Sequence, residues 1–147
     1  MIIIDTREQK PIWELKEGKV IKQKLDEGDY TTSDLLNIAH IERKSPNDFY
    51  GSIIQGHKRF AAELERANEK GIKLAVFVEC PKQKFIGKQF KNGRFLRTPP
   101  KVLAKILSTM EEKYNMEIHW LKTRASFKKE AIKWFNQEAK LRESGTK

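Results

Sequence analysis

Leu74-Ala75-Val76-Phe77-Val78 is apolar without a break and lies between Lys73 and Glu79. Successive side chains of a strand point to opposite faces, so a continuous apolar run of this length needs cover on both sides of its sheet. A chain of 147 residues can supply that cover within one domain, burying roughly 70% of its unfolded surface. The other elements are readable around this central strand. Ile2-Ile3-Ile4 is a short β-branched strand that ends on Asp5, residues 20–25 alternate apolar and basic side chains, and Gly28-Asp29 is a turn leading into Tyr30-Thr31-Thr32. Residues 37–44 read as a further strand, stopped by Ser45 as N-cap and Pro46 at the first position of a helix that runs to about residue 54. Residues 58–70 are helical with Phe60, Leu64 and Ala67 on one face and Gly71 as the stop. Pro99-Pro100 opens a helix with Val102, Leu103, Ile106, Leu107 and Met110 as its apolar stripe, residues 117–121 form a short strand, and residues 126–141 a last helix with Phe127, Ala131, Trp134 and Phe135 inward. Trp120, Trp134 and Phe135 serve either the core or a subunit interface. Residues 81–98 have no clear period and read as a basic loop or insertion, and 143–147 as a frayed tail. The expectation is one α/β domain over residues 1–147, a mixed sheet flanked by helices on both faces.

Charge is distributed unevenly over this scaffold. Residues 1–80 carry 13 basic and 14 acidic side chains, a net of −1, whereas residues 81–147 carry 17 basic and 6 acidic, a net of +11. Between Pro81 and Met110 there are eight basic residues and no acid. An excess of this kind suits a polyanion such as nucleic acid, the alternative being a lysine-rich solubilising surface. A single cysteine, Cys80, excludes a disulfide framework or a cysteine-based zinc cluster. No apolar run approaches the roughly 18 residues of a membrane span, and the first residues lack a signal-peptide pattern, so an intracellular protein is expected, in the cytoplasm of a prokaryote or a virus-infected cell rather than a nucleus. No glycine-rich phosphate loop is present, so no nucleotide cofactor is expected. His40, His57 and His119 have no ligand-like spacing.

The acids of the first half form a pattern of their own. Asp5, Asp29 and Glu42 sit at strand ends or turns, and strand alternation puts His40, Glu42 and Lys44 on one face with Ile41 and Arg43 on the other. Carboxylates beside a lysine suit metal-assisted phosphodiester cleavage. Oxygen ligands hold a hard cation such as Mg²⁺, which polarises the phosphate and lowers the pKa of bound water, while the lysine orients or deprotonates that water. Solvated strand ends with a surface ion pair would leave the same trace in the sequence. Arg43, on the opposite face, can pair with a neighbouring carboxylate such as Asp48, and Asp48 equally suits the first turn of a helix through its dipole.

Asp5-Thr6-Arg7-Glu8 after an isoleucine run, Gly28-Asp29-Tyr30, and Ile41-Glu42-Arg43-Lys44 with Asp48 four residues past Lys44 occur in that order. Together they resemble the nuclease domain of XPF-type structure-specific endonucleases, whose pattern is Gly-Asp, a variable gap, then Glu-Arg-Lys-x-x-x-Asp, preceded by a strand ending in Asp-x-Arg-Glu. The likeness extends to the Val76-Phe77-Val78-Glu79 strand and, more weakly, through the last two helices. It implies a restriction-endonuclease-like PD-(D/E)xK fold and an Mg²⁺- or Mn²⁺-dependent endonuclease that cleaves branched DNA, such as a flap, fork or junction, in repair or recombination. It implies Asp29 and Glu42 as metal ligands with Asp5 completing the cluster, Lys44 acting on the water, and Arg7, Glu8, Arg43 and Asp48 as supporting and phosphate-contacting groups. It also implies a homodimer.

The sequence departs from the family in two places. Tandem helix-hairpin-helix modules usually follow the nuclease domain, and none is encoded here, which suits a free-standing minimal nuclease or a fragment. The basic stretch of residues 81–100 is longer than its family counterpart, and Phe85, Phe90 and Phe95 recur among Lys82, Lys84, Lys88, Lys91, Arg94 and Arg97. Aromatic rings interleaved with cations suit unpaired bases and phosphates, so Lys84, Lys88, Phe90, Lys91, Arg94, Phe95 and Arg97 are the expected DNA contacts; rings that only pin the loop to the core are the alternative. A four-way-junction resolvase or nicking enzyme of the same superfamily, and a catalytically silent DNA-binding or dimerisation module, are the competing functions.

Overall fold

The computed structural model describes residues 1–9, 11–13 and 19–145. Six strands form one mixed sheet: β1 (Ile2–Ile4), β2 (Val20–Lys22), β3 (Tyr30–Thr32), β4 (Ala39–Lys44), β5 (Lys73–Val78) and β6 (Glu117–Trp120). Their order is β2-β1-β3-β4-β5-β6. β3 pairs antiparallel with both β1 and β4, while β4, β5 and β6 run parallel, with Glu42 opposite Val76 and Lys44 opposite Val78. Strands β1, β4, β5 and β6 therefore share one carboxyl edge, the edge where open α/β sheets place their sites.

The alternation expected of the central strand is seen in its packing. Leu74, Val76 and Val78 enter an apolar cluster with Phe49 and Ile53 of α1 (Pro46–Ile53), Phe60 and Leu64 of α2 (His57–Glu69), Phe85 of α3 (Lys82–Ile86), and Leu103, Leu107 and Met110 of α4 (Pro100–Lys113). Ala75 and Phe77 enter a second cluster on the other face, with Ile41, Tyr30, Trp13 and the Phe127, Ala131 and Trp134 face of α5 (Phe127–Gly145). Val76, Phe77 and Val78 are fully buried. The start of α1 also forms as its sequence dictates: the Asp48 N–H donates to Ser45 Oγ, with Pro46 in the first turn.

Four expectations are corrected. Residues 81–98 are not a structureless loop, because α3 and a short 3₁₀ turn (Gly93–Phe95) lie within them. The expected strand over 20–25 stops at Lys22, since the Leu25 N–H is taken by Asp5 Oδ1 instead of a neighbouring strand. Val102 is exposed, as the inward stripe of α4 runs through Leu103, Leu107 and Met110. α5 continues to Gly145, three residues into the stretch expected to fray; residues 146 and 147 lie outside the described residues. Trp134 and Phe135 are core, each only 4% exposed.

The edge strand β6 is fastened to α5 by charge. Glu117 Oε2 accepts from His119 Nε2 at 2.6 Å and from Trp134 Nε1 at 2.7 Å, and Glu117 Oε1 lies 3.4 Å from Lys73 Nζ. The His119 hydrogen bond is the foremost cause that pulls the Glu117 carboxyl down to about 2. A depressed carboxyl contributes stability above its unfolded pKa and loses it as pH falls toward the folded value. Glu117→Gln should therefore lower the melting temperature at pH 6, and the gap to the parent protein should shrink steadily between about pH 5 and pH 3. Thermal melts across that range check this, and a gap that stays constant with pH would rule out the carboxylate as its source.

Candidate active site

The Gly28-Asp29 turn is built to hold one carboxylate in place. Gly28 has φ +77°, and a Cβ there would lie 3.1 Å from each of His40 Cβ, Ile41 O and Leu74 Cδ1, so the position admits only glycine without strain. Behind the turn, Asn37 N–H donates to His40 Nε2 at 2.9 Å, which leaves Nδ1 to donate to the Glu27 carbonyl at 2.6 Å. Burial lowers the His40 pKa and keeps the ring neutral in this role. The Glu27 carboxylate is held by Arg66 of α2 and by Lys70, the residue that ends it, at 3.3 and 3.2 Å. The Asp29 backbone donates to Ile41 O at 2.7 Å and accepts from Asp5 N–H at 2.8 Å, and its Oδ2 accepts from Arg43 N–H at 2.7 Å.

Asp29 so fixed meets Glu42 from β4, and the two carboxyl groups are within hydrogen-bonding reach of each other. Burial pushes Asp29 up to about 6. Burial, and then the charge of Asp29, raise Glu42 well above the ordinary glutamate range, with Lys44 opposing. Lys44 Nζ lies 3.7 Å from Glu42 Oε2 and 5.7 Å from the centroid of the Phe60 ring. Asp29, Glu42, Arg43, Lys44, Asp48, Arg7, Glu8 and Glu79 line one cleft of about 670 Å³.

Arg43 points to the opposite face of β4, as strand alternation requires, but its partners are not Asp48. Its Nε and Nη2 donate to the two oxygens of Glu8, both at 2.9 Å, and its Nη1 donates to Glu79 Oε1 at 2.6 Å. Asp48 is exposed at the first turn of α1 and lines the cleft rim. Arg124, between β6 and α5, reaches the other Glu79 oxygen at 3.3 Å. The sequence reading gave Glu79 no role; a charged residue directly after a fully apolar strand was the available signal, and Glu27 and Arg124 carried none.

Asp5 is buried and lines a second pocket together with Asp29 and Glu42. Its Oδ1 accepts from Leu25 N–H at 2.8 Å and its Oδ2 from Arg7 Nε at 2.9 Å, while Arg7 Nη2 donates to Leu25 O at 2.6 Å. Asp5 and Arg7 thereby clamp the loop after β2. Among the described residues no group of three or more His, Cys, Asp or Glu is disposed to hold a metal ion. The pair itself still suits one. Mg²⁺ commonly takes only one or two protein carboxylates and fills its octahedron with water and phosphate oxygens, and two adjacent carboxyls both raised by desolvation favour a nearby cation.

The basic segment divides. Phe85 is fully buried, and Phe90 is half-buried and stacked on it with centroids 5.7 Å apart and planes 10° apart, so neither ring is free for a base. Lys88 Nζ is spent on the Leu96 carbonyl at 3.1 Å. Lys84, Lys91, Arg94, Phe95 and Arg97 remain exposed.

The ERCC4 domain family model matches residues 4–130. The fold is similar to XPF from Aeropyrum pernix, with TM-score 0.69 and 21% identity over 97% of this chain and 69% of that one. It is also similar to XPF from Aeropyrum pernix solved in complex with DNA, with TM-score 0.53 and 20% identity over 83% of this chain and 56% of that one. No curated protein matches significantly.

Arg43 can be tested apart from any activity. The Glu8 and Glu79 side chains are only 8% and 7% exposed, so Arg43→Met removes from two nearly buried carboxylates the arginine that forks onto one and closes on the other. Urea unfolding should show a loss of about 3–5 kcal/mol. Arg124→Ala removes a pair whose arginine is 44% exposed and should cost no more than about 1 kcal/mol.

Proposed function

We propose, from the premise that the chain belongs to the ERCC4 domain family, that it is a metal-dependent endonuclease cutting branched DNA in repair or recombination. The observation that carries this reading is the half-buried Asp29–Glu42 pair, locked by the Arg43 N–H and set beside Lys44 in an open cleft. Asp29 and Glu42 would hold Mg²⁺ or Mn²⁺, and the cation when bound supplies polarisation of the phosphate and a more acidic water. Lys44 orients the attacking water and offsets charge that develops on the phosphate, its ammonium held between the Glu42 carboxylate and the face of Phe60. Arg43 does not touch the substrate in this reading. It fixes Asp29 from its backbone and the strand exits from its side chain, so the carboxylates meet the cation without rearranging.

DNA as the substrate draws support from the neighbouring structure solved with DNA and from the +11 net charge of residues 81–147. Branched DNA draws support from the family resemblance, and so does a homodimer. For the dimer, Trp134 and Phe135 offer no surface, since both are packed in the core; Ile132 and Leu141 are the large apolar residues that α5 leaves exposed.

Cleavage of labelled flap, fork, splayed-arm and four-way substrates should need Mg²⁺ or Mn²⁺. Asp29→Asn, Glu42→Gln and Lys44→Ala should each abolish it while DNA binding survives in gel shift. Cutting in excess EDTA, or full activity of Glu42→Gln, would remove the metal site from this account. Sedimentation should give twice the 17.2 kDa chain mass with two-fold symmetry as the default arrangement; a monomer at tens of micromolar with cleavage intact would sink the dimer alone.

A further inference from the structure

The segment after α3 is folded too tightly to be a passive tether. Lys88 and Asn92 adopt left-handed backbone, with φ 57° and 67°. A Cβ at Gly93 would sit 2.3 Å from the Lys88 carbonyl oxygen, so this turn closes only on glycine. Phe85 and Phe90 fasten its base to the core, and Lys88 spans it to Leu96. Two anchors tie it to α1: Asn47 Nδ2 donates to Lys91 O at 2.9 Å, and Tyr50 Oη bonds the Thr98 hydroxyl and accepts from Thr98 N–H at 3.2 Å. Both anchors lie within the first two turns of the helix that begins directly after Lys44-Ser45.

Between the anchors, Phe95 is 66% exposed, and it is the only exposed aromatic ring among the described residues. The Arg94 guanidinium lies over it, 4.8 Å from the ring centroid. Lys91 and Arg97 stand on either side, both exposed, in a stretch of sequence without an acid from Pro81 to Met110.

We propose that Phe95, with Arg94 over it, is a stacking platform for an unpaired base of a DNA strand whose flanking phosphates are met by Lys91 and Arg97. The arginine fixes the plane of the ring and brings a cation to the base edge, so little freedom remains to be lost on binding. A base can stack there only if it is unpaired, because a duplex presents its bases edge-on in the grooves. The platform would thus read a single-stranded arm beside the cut, through a stretch anchored to the helix at the cleft rim. This deepens the nuclease reading above and rests on it for the meaning of the arm, but the binding itself does not need the chemistry.

The test is run in EDTA with a splayed-arm duplex, a blunt duplex of the same length, and oligo-dT. Phe95→Ala should weaken binding to the splayed arm and to oligo-dT by about tenfold and leave the blunt duplex within about twofold. Phe95→Trp should retain affinity and show emission, beyond that of the native tryptophans, that oligo-dT quenches. Equal losses on all three ligands, or no loss on the splayed arm, overturn the platform. Tighter binding of oligo-U than of oligo-dT overturns the assignment to DNA. If the parent protein fails to cut any DNA in Mg²⁺ while the Phe95→Ala difference persists, the nuclease reading falls and the platform stands; cleavage with no such difference has the opposite meaning.

Discussion

One residue, Arg43, ties together every element that the cleft needs. Its N–H donates to Asp29, and its guanidinium forks onto Glu8 and closes on Glu79, so it joins the turn before β3, the exit of β1 and the exit of β5. Burial works against the arginine's charge, but hydrogen bonds and attraction from Glu8 and Glu79 more than offset it and hold the group charged. Buried ion networks of this kind add little net stability, because desolvation consumes most of the Coulombic gain. What they fix is geometry: planar bidentate contacts tolerate little displacement. The two-residue period of β4 then carries that precision to the other face of the sheet, where Glu42 and Lys44 sit on either side of Arg43 in sequence.

The carboxyl pair that Arg43 positions is itself unfavourable to keep. Both are desolvated; the charges of Asp29 and Glu63 raise Glu42 with Lys44 opposing, and the charge of Glu8 raises Asp29 against the Arg43 N–H. An unconstrained pair would separate and solvate. Here the turn cannot relax, since Gly28 is crowded on three sides and the Asp29 backbone is hydrogen-bonded through both its N–H and its C=O. The His40, Glu27 and α2 contacts behind the turn hold it in place, with Glu27 and Arg66 lining a second pocket that also reaches Asp29 and Glu42. Supporting contacts of this kind are what preorganisation requires of a site that, in the proposed reading, receives a cation and a phosphate.

How much of this the sequence carried depended on distance along the chain. The Glu42, Arg43 and Lys44 faces were legible because strand alternation is local, and the double-sided burial of β5 followed from an unbroken apolar run. Ser45 and Pro46 announced the start of α1 for the same reason. Arg43's partners were not legible: Glu8 and Glu79 lie 35 and 36 residues away, and Asp48 looked suitable only because it was near in sequence. The clamp made by Asp5 was hidden too, because nothing local shows that the Leu25 N–H and Arg7 would meet its oxygens. In the basic segment, the five-residue spacing of Phe85, Phe90 and Phe95 suggested three equivalent rings. The structure sends two into the core and leaves one outside, a sorting set by the turn at Gly93 and the short helix before it, neither of which has a clear period.

The split of charge along the chain has a physical reason once the site is placed. The cleft is lined by Glu8, Asp29, Glu42, Asp48 and Glu79 against Arg7, Arg43, Lys44 and Arg124, and most of its cations are already paired with its acids. Such a cleft repels phosphate until a divalent cation is present, so it cannot also provide the affinity for a polyanion. That affinity has to come from groups outside the carboxylates' field yet mechanically tied to them, and fields between exposed charges fade within roughly 8–10 Å at physiological salt. The acid-free stretch from Pro81 to Met110 carries such cations and is tied to the cleft rim through its anchors at Asn47 and Tyr50. In the proposed reading, the paired carboxylates of the first half serve the chemistry and the basic surplus of the second serves the attraction.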